Sequence, residues 1–259
     1  MNVRDLLDLP RSVFQGYCQE KARYAYLGKS VGMATILGKY KVYVDTEDTS
    51  LVPHLIVDGC WEPWVTLALR NVKEGWFAVD IGANHGYYSV ILGELTGKTV
   101  VAFEPQEAMV ALMTKTFSAN GTKVELIQGG VGAEGGVGYL KFEKDESQKG
   151  SVSIAEEGLT TVEMYALDQD LSVTPDFIKI DAEGAEPEIW RGMRTILESR
   201  PTILMEFSPK LYADAAGFLR DIEACYSLRE VDHDGNIVPV AAETVLERPD
   251  FSMLWLEKD

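Results

Sequence analysis

Phe77-Ala-Val-Asp-Ile-Gly-Ala-Asn-His-Gly-Tyr-Tyr-Ser-Val-Ile-Leu-Gly-Glu-Leu95 is the stretch that decides the fold. Residues 77–81 form an apolar run interrupted only by Asp80, the pattern of a strand buried on both faces. Gly82 and Gly86 bracket a turn, and residues 86–95 then read as a helix. A buried strand that passes through a glycine turn into a helix opens a βαβ unit, and hence a parallel sheet with right-handed crossovers.

Working outward, the same alternation recurs. Residues 99–103 read as a second strand. Pro105 then opens a helix carrying Met109, Met113 and Phe117, closed by Asn120-Gly121. Val124 to Ile127 and Phe177 to Ile180 are further strands. A helix runs from Glu186-Pro187 with Ile189, Met193 and Leu197 on one face, and Pro201 stops it. Strand Ile203–Met205, a helix over 213–224 and strands at 228–231, 237–240 and 253–256 complete the unit, with a turn at Asp232-His-Asp-Gly235. Residues 129–171 are rich in Gly and charge and read as a β-rich insertion with no obvious helix. Residues 1–60 are expected to be an N-terminal extension or cap: short helices, interrupted at Pro10 and Gly16, and a strand at 40–45. The main domain is then 61–259, an open, mostly parallel α/β sheet with helices on both faces.

The chain has 259 residues, with 24 Lys and Arg against 41 Asp and Glu, a formal charge of −17. Residues 1–75 hold nine of each sign and are neutral, so the remaining fifteen basic and thirty-two acidic residues carry the whole charge. Such a chain lacks the basic footprint of a duplex nucleic acid or anionic membrane partner. Its 46% apolar content supplies a real core. Cys18, Cys60 and Cys225 form no CxxC pair, which argues against a disulfide scaffold or a structural zinc site. The N-terminus has no signal-peptide run and no stretch approaches the ~20 apolar residues of a membrane span, so a cytoplasmic location is expected.

Three motifs carry chemistry. The turn Asp80-Ile-Gly82-Ala-Asn84-His85-Gly86 places backbone N–H groups at a helix start, where a ligand can approach closely. It lacks the G-x-G-x-x-G of a dinucleotide site, because Asn84 stands at the second glycine, and it lacks the Lys of a P-loop. It matches instead the D-x-G-x-x-x-G pattern of S-adenosylmethionine binding. Glu104 ends the next strand, 24 residues after Asp80, where a carboxylate can accept hydrogen bonds from both ribose hydroxyls. Ile178-Lys-Ile-Asp181-Ala-Glu183-Gly-Ala-Glu186 brings three carboxylates to the end of the fourth strand, a cluster suited to a cation such as a sulfonium. A divalent metal on Asp181, Glu183 and Glu186 is the alternative, with oxygen ligands fit for Mg²⁺ or Ca²⁺. No His or Cys joins them, and no metal is expected.

In this order, DIGANHGYY, AFEP, Leu167-Asp168, IKIDAEGAE and the ILMEF around Glu206, with WEPW at 61–64, resemble the FkbM-type methyltransferases over residues 60–210. His85 departs from the apolar residue common there. The resemblance implies a class I methyltransferase fold with seven strands, the last antiparallel, and O-methylation of a sugar, glycolipid or secondary metabolite by S-adenosylmethionine. It places Asp80, Gly82, Asn84 and Gly86 at the methionine end of that cofactor, with Ala83, Tyr87 and Pro105 beside them. Glu104 holds the ribose, Gln128 and Gly129 border the adenine, and Asp181 stands nearest the methyl group.

Methyl transfer needs an aligned acceptor oxygen and a base for its proton. The candidate bases are Asp181 first, then Glu183 and His85. Glu206 either orients the acceptor or pairs with Lys179, which also interrupts an apolar strand. A nicotinamide oxidoreductase and a noncatalytic cofactor-binding protein are the competing readings. The expected partner is a small-molecule or glycan acceptor, chosen by residues 1–60 and 140–165. Self-association through the N-terminal segment is the further expectation.

Overall fold

A computed structural model describes residues 1–142, 150–153 and 160–258. The chain opens with helices α1 (Val3–Leu7) and α2 (Arg11–Lys21), followed by an antiparallel meander of β1 (Arg23–Gly28), β2 (Val31–Ile36) and β3 (Tyr40–Asp45). Helices α3 (Val52–Val57) and α4 (Pro63–Ala68) lead into β4 (Ala78–Ile81), α5 (Tyr87–Thr96), β5 (Val100–Glu104), α6 (Glu107–Asn120) and β6 (Val124–Gln128). The stretch 129–171 holds β7 (Gly130–Val131), β8 (Gly136–Phe142), β9 (Gly150–Ser153), β10 (Thr160–Tyr165) and the short helix α7 (Leu167–Asp170). Residues 143–149 and 154–159, part of the expected insertion and of the acceptor-choosing segment, lie outside the described residues. The chain continues through β11 (Phe177–Ile180), α8 (Glu186–Arg191), α9 (Arg194–Glu198), β12 (Thr202–Phe207), α10 (Ala215–Glu223), β13 (Arg229–Val231), β14 (Ile237–Pro239), α11 (Ala242–Leu246) and β15 (Ser252–Leu256).

The large sheet has the order β14-β13-β15-β12-β11-β4-β5-β6. The run from β12 to β6 is parallel, and β15 is antiparallel to β12. From β4 the chain steps outward to β5 and β6, then returns to β11 on the other side of β4. That reversal opens a crevice beyond the carboxyl ends of β4, β5 and β11, where open α/β sheets place their ligands.

Two apolar clusters cover the sheet. One packs Ile189, Met193, Leu197, Phe218 and Ile222 against Val79, Ile180 and Ile203. The other joins Leu6, Leu7, Phe14 and Val42 of the N-terminal segment to Val90, Leu92, Leu204 and Trp255, so the first elements share the core of the main sheet. Polar ties reinforce this: Asn120 at the end of α6 accepts from Lys41 N–H at 2.9 Å and donates to Lys41 C=O at 2.7 Å. The small sheet of the 129–171 stretch has the order β7-β10-β8-β9. Among the described residues, no helix is long and apolar enough to cross a membrane.

Four expectations change. The main sheet has the eight strands read from the pattern where the resemblance implied seven, and β14 folds back on β13 over a turn in which Asp232 Oδ1 accepts from the N–H groups of Asp234 (2.9 Å) and Asn236 (2.8 Å). The helix expected over 186–197 breaks between α8 and α9. There Gly192 packs so closely on Gly132 that a Cβ would lie 2.0 Å from its carbonyl oxygen, and Asp168 accepts from Thr195 and Ile196 N–H at 2.8 and 2.9 Å to start a new helix. Gly16 does not interrupt α2, which buries Phe14 and Cys18 on one face. The short helix expected from Tyr17, Ala22 and Tyr26 ends at Lys21, and residues 23–36 form the first hairpin instead.

Candidate active site

At the end of β4 the backbone alternates into the left-handed region at Gly82 (φ 74), Asn84 (φ 50) and Gly86 (φ 79). Asn tolerates that conformation better than most residues, which is why it stands where a dinucleotide turn has glycine. Gly82 is obligatory for space as well: a Cβ there would lie 1.8 Å from the Asp181 carbonyl oxygen. The N–H groups of Gly82 and Ala83 both reach the Phe103 carbonyl at 3.1 Å, and Asp181 N–H reaches the Ile81 carbonyl at 3.1 Å. These bonds lock the ends of β4, β5 and β11 together.

One cavity of about 590 Å³ opens on this junction. Its walls include Gly82, Ala83, Asn84, His85, Tyr87, Glu104, Pro105, Gly129, Asp181 and Glu183 of the residues singled out by sequence. Asp80, Gly86 and Gln128 do not line it. Asp80 is fully buried behind the turn, where Ser89 donates to Oδ2 at 2.6 Å and Oδ1 has no hydrogen-bond partner among the described residues. Gln128 is exposed at the end of β6.

Glu104 is 3% exposed and accepts the N–H groups of Asn84 and Gln106, both at 2.9 Å. Burial outweighs these bonds and pushes its carboxyl up to about 7. The Asn84 Oδ1 beside it is buried with no hydrogen-bond partner among the described residues.

On the β11 side, Lys179 is a fully buried cation 3.1 Å from Asp181 and 3.9 Å from Asp80. Burial alone would lower its pKa, but the two carboxylates, Asp181 foremost, raise it. Among the described residues it is not paired with Glu206, which corrects that expectation. Lys179 stands between Asp80 on β4 and Leu204 on β12, with Glu206 two residues further along β12, and its ammonium lies against Asp181 and Asp80. Glu206 lines the cavity without that cation, and burial together with the charge of Asp181 pushes it up to about 9.

Glu183 sits at φ 50 in the turn after β11, half-buried on the cavity wall. Glu186 turns away and accepts the N–H groups of Ala182 (2.7 Å) and Gly184 (2.9 Å), so it braces that turn. Among the described residues no group of three or more His, Cys, Asp and Glu is placed to hold a metal ion. His85 is fully buried, and its Nε2 accepts from Asp45 N–H at 3.2 Å on β3. Burial lowers its pKa to about 4, which leaves a neutral ring.

Pattern reading missed Glu62, His54 and Arg11, which enter the cavity from the N-terminal side. The available signal was the single acid within Trp61-Glu-Pro-Trp64. Glu62 is 8% exposed, accepts from the Tyr88 hydroxyl at 2.8 Å and is pushed up to about 7, by burial first and Asp181 second.

Comparison with known proteins places this arrangement. A curated relative, the hexuronic acid methyltransferase AglP of Haloferax volcanii, is 25% identical over 184 residues, covering 67% of this chain and 74% of its own. The crystal structure of M. jannaschii TYW2 in complex with AdoMet shares the fold with a TM-score of 0.50 at 13% identity, covering 89% of this chain and 86% of that one. A methyltransferase FkbM from Methylobacillus flagellatus KT has a TM-score of 0.49 at 16% identity, covering 74% of this chain but only 47% of that one. Residues 80–232, more than half of the sequence, match the Methyltransferase FkbM domain. The chain belongs to the FkbM methyltransferase family.

Proposed function

We propose that the protein transfers a methyl group from S-adenosylmethionine to a hydroxyl oxygen of a sugar, glycolipid or secondary metabolite. The observation that carries this reading is the buried Glu104 carboxylate, set beside the glycine turn and in one cavity with Asp181. The residues fit the cofactor. Glu104 takes the ribose hydroxyls through its remaining lone pairs. The bare Gly82, the unpartnered Asn84 Oδ1 and the walls Ala83, Tyr87 and Pro105 take the methionine end, and Gly129 borders the base. When bound, the cofactor supplies an electrophilic methyl group on a cationic sulfur.

The chain's own work is alignment and charge. Asp181, held by the Lys179 ammonium, would face the bound cofactor's methyl group and orient the acceptor hydroxyl. Glu183 and Glu206 add negative charge around the sulfonium. His85 joins the glycine turn to β3. Hydroxyl rather than amide or base acceptors are supported by the Asp181-Ala-Glu-Gly184 strand end, which has none of the Pro-Pro-aromatic sequence usual in N-methylating enzymes, and by the acidic charge. AglP, named for a hexuronic acid substrate, supports a sugar.

Calorimetry tests the reading. S-adenosylhomocysteine is expected to bind and NADH is not; NADH binding without S-adenosylhomocysteine binding would sink it. A screen of hydroxylated acceptors with labelled S-adenosylmethionine then identifies the substrate.

A further inference from the structure

Glu62 lies outside the 80–232 region that defines the family match, and its surroundings distinguish it from the other acids of the cavity. Its backbone is left-handed, φ 38 and ψ 72, directly before Pro63. A side-chain-bearing residue avoids that region, and a residue before proline favours extended backbone. The fold holds it there, with its carboxylate buried on the cavity wall. Strained, buried side chains of this kind cluster at sites where position matters to the chemistry.

The neighbours divide the carboxylates into two kinds. Asp181 is hydrogen-bonded at 3.1 Å by a charged partner, the Lys179 ammonium. Glu62 is held by a neutral group, the Tyr88 hydroxyl. Tyr88 is buried, and the Lys179 ammonium lies 4.7 Å over its ring, so one cation orders both sides of the site.

We propose that Glu62 takes the proton of the acceptor hydroxyl, while Asp181 orients that hydroxyl toward the methyl group. This rests on the methyl-transfer reading above. The hydroxyl proton passes to the Glu62 carboxylate as the oxygen bonds to the methyl carbon. The carbon–sulfur bond breaks with its electron pair on sulfur, and a neutral thioether leaves. The charged and titratable groups facing Glu62 are Lys179 from β11, Asp181 just after it, Tyr88 from α5 and Glu206 from β12, with a further hydrogen bond from the adjacent Trp61. Burial and the Asp181 charge outweigh Tyr88, Lys179 and Trp61 and leave the carboxyl near 7, suited to a base at neutral pH.

The test compares S-adenosylmethionine with S-adenosylhomocysteine in calorimetry from pH 5.5 to 8.5. The two ligands differ by the methyl group and its positive charge, so Glu104 acts on both alike and only charges near the sulfur alter their ratio. The wild-type preference for the cationic ligand is expected to rise roughly tenfold through pH 7 as Glu62 ionises. Glu206 titrates higher, near 9, outside most of that range. Glu62→Gln should flatten the rise and keep S-adenosylhomocysteine affinity. A ratio independent of pH in the wild type, or a rise that survives in Glu62→Gln, overturns the proposal. Tyr88→Phe removes a bond that lowers the Glu62 pKa and should move the midpoint of the rise upward; an unmoved midpoint overturns it even where Glu62→Gln does not fold. With any hydroxyl the wild type methylates, Glu62→Gln should lower kcat about a hundredfold with KM little changed, and retained kcat counts against the proposal. Loss of S-adenosylhomocysteine binding in the wild type at every pH is a separate failure, that of the methyl-transfer reading.

Discussion

Single residues set the charge of this site. Glu104 is buried and carries a carboxyl raised to about 7, yet a ribose calls for the ionised form. S-adenosylhomocysteine affinity should therefore weaken as pH falls from 8 through 7, as Glu104 takes up a proton. Glu104→Gln should cost about tenfold in affinity at pH 8, the worth of a charge-assisted bond, and remove most of that pH dependence. Calorimetry across pH reads both, and an affinity in Glu104→Gln equal to wild type would exclude the ribose role. Glu104 was legible in sequence because an acid at a strand end, 24 residues after Asp80, stands out from an apolar run. Glu62 was not, because its place in the cavity depends on a left-handed backbone that no local pattern encodes. His85, on the cavity wall as its place in the motif suggests, also accepts from Asp45 N–H on β3, forty residues earlier in the chain, a tie no local pattern records.

At the scale of elements, the glycine turn is a spacer between strands as well as the proposed cofactor site. Gly82→Ala combines a positive φ with a Cβ that would lie 1.8 Å from the Asp181 carbonyl, so β4 and β11 must part. We expect a loss of about 3 kcal/mol or more in urea denaturation, with cofactor binding weakened in parallel; near-wild-type stability would mean that the strand ends are not locked. The alternation of strands and helices was legible because buried parallel strands leave short apolar runs between periodic helices. The break between α8 and α9 was not. Ile189, Met193 and Leu197 keep a continuous apolar stripe across it, and the cause is Asp168, bonded from another element. The hairpin β1–β2 was hidden for a related reason. Tyr24, Tyr26 and Leu27 of β1 are exposed, so the period-two alternation of a half-buried strand is missing.

For the whole molecule, the buried acids should shape the pH dependence of stability. Glu62, Glu104 and Glu186 titrate near 7 and Glu206 near 9 in the folded chain, each raised by burial from 4.5. The folded state therefore holds more protons than the unfolded state between these values, and stability falls as pH rises from about 4.5, the loss being complete above the folded values. His85 acts oppositely. Its folded pKa of about 4 lies below the ordinary 6.5, so its contribution is lost as pH falls through that window. Asp80, raised by burial, acts with these acids, and together they outweigh the one histidine, so the thermal midpoint of the ligand-free protein falls as pH rises from about 5. It should drop by on the order of 5 °C by pH 8.5, and a midpoint that rises over that range would contradict the buried placement of these groups.

The sequence by itself determined the parallel α/β plan, the glycine turn, the Glu104 strand end and the acidic approach to Asp181, because each is written in short runs whose period or spacing is local. Tertiary structure alone decided that Lys179 serves Asp181 and Asp80 instead of Glu206, since the sheet packs β4 beside β11 and sets the Asp80 carboxylate within 3.9 Å of the buried ammonium. It alone brought the neutral first segment into the same core and carried Glu62 onto the cavity wall beside Tyr88. Those contacts join residues far apart in the chain, where no local pattern records which surfaces will meet.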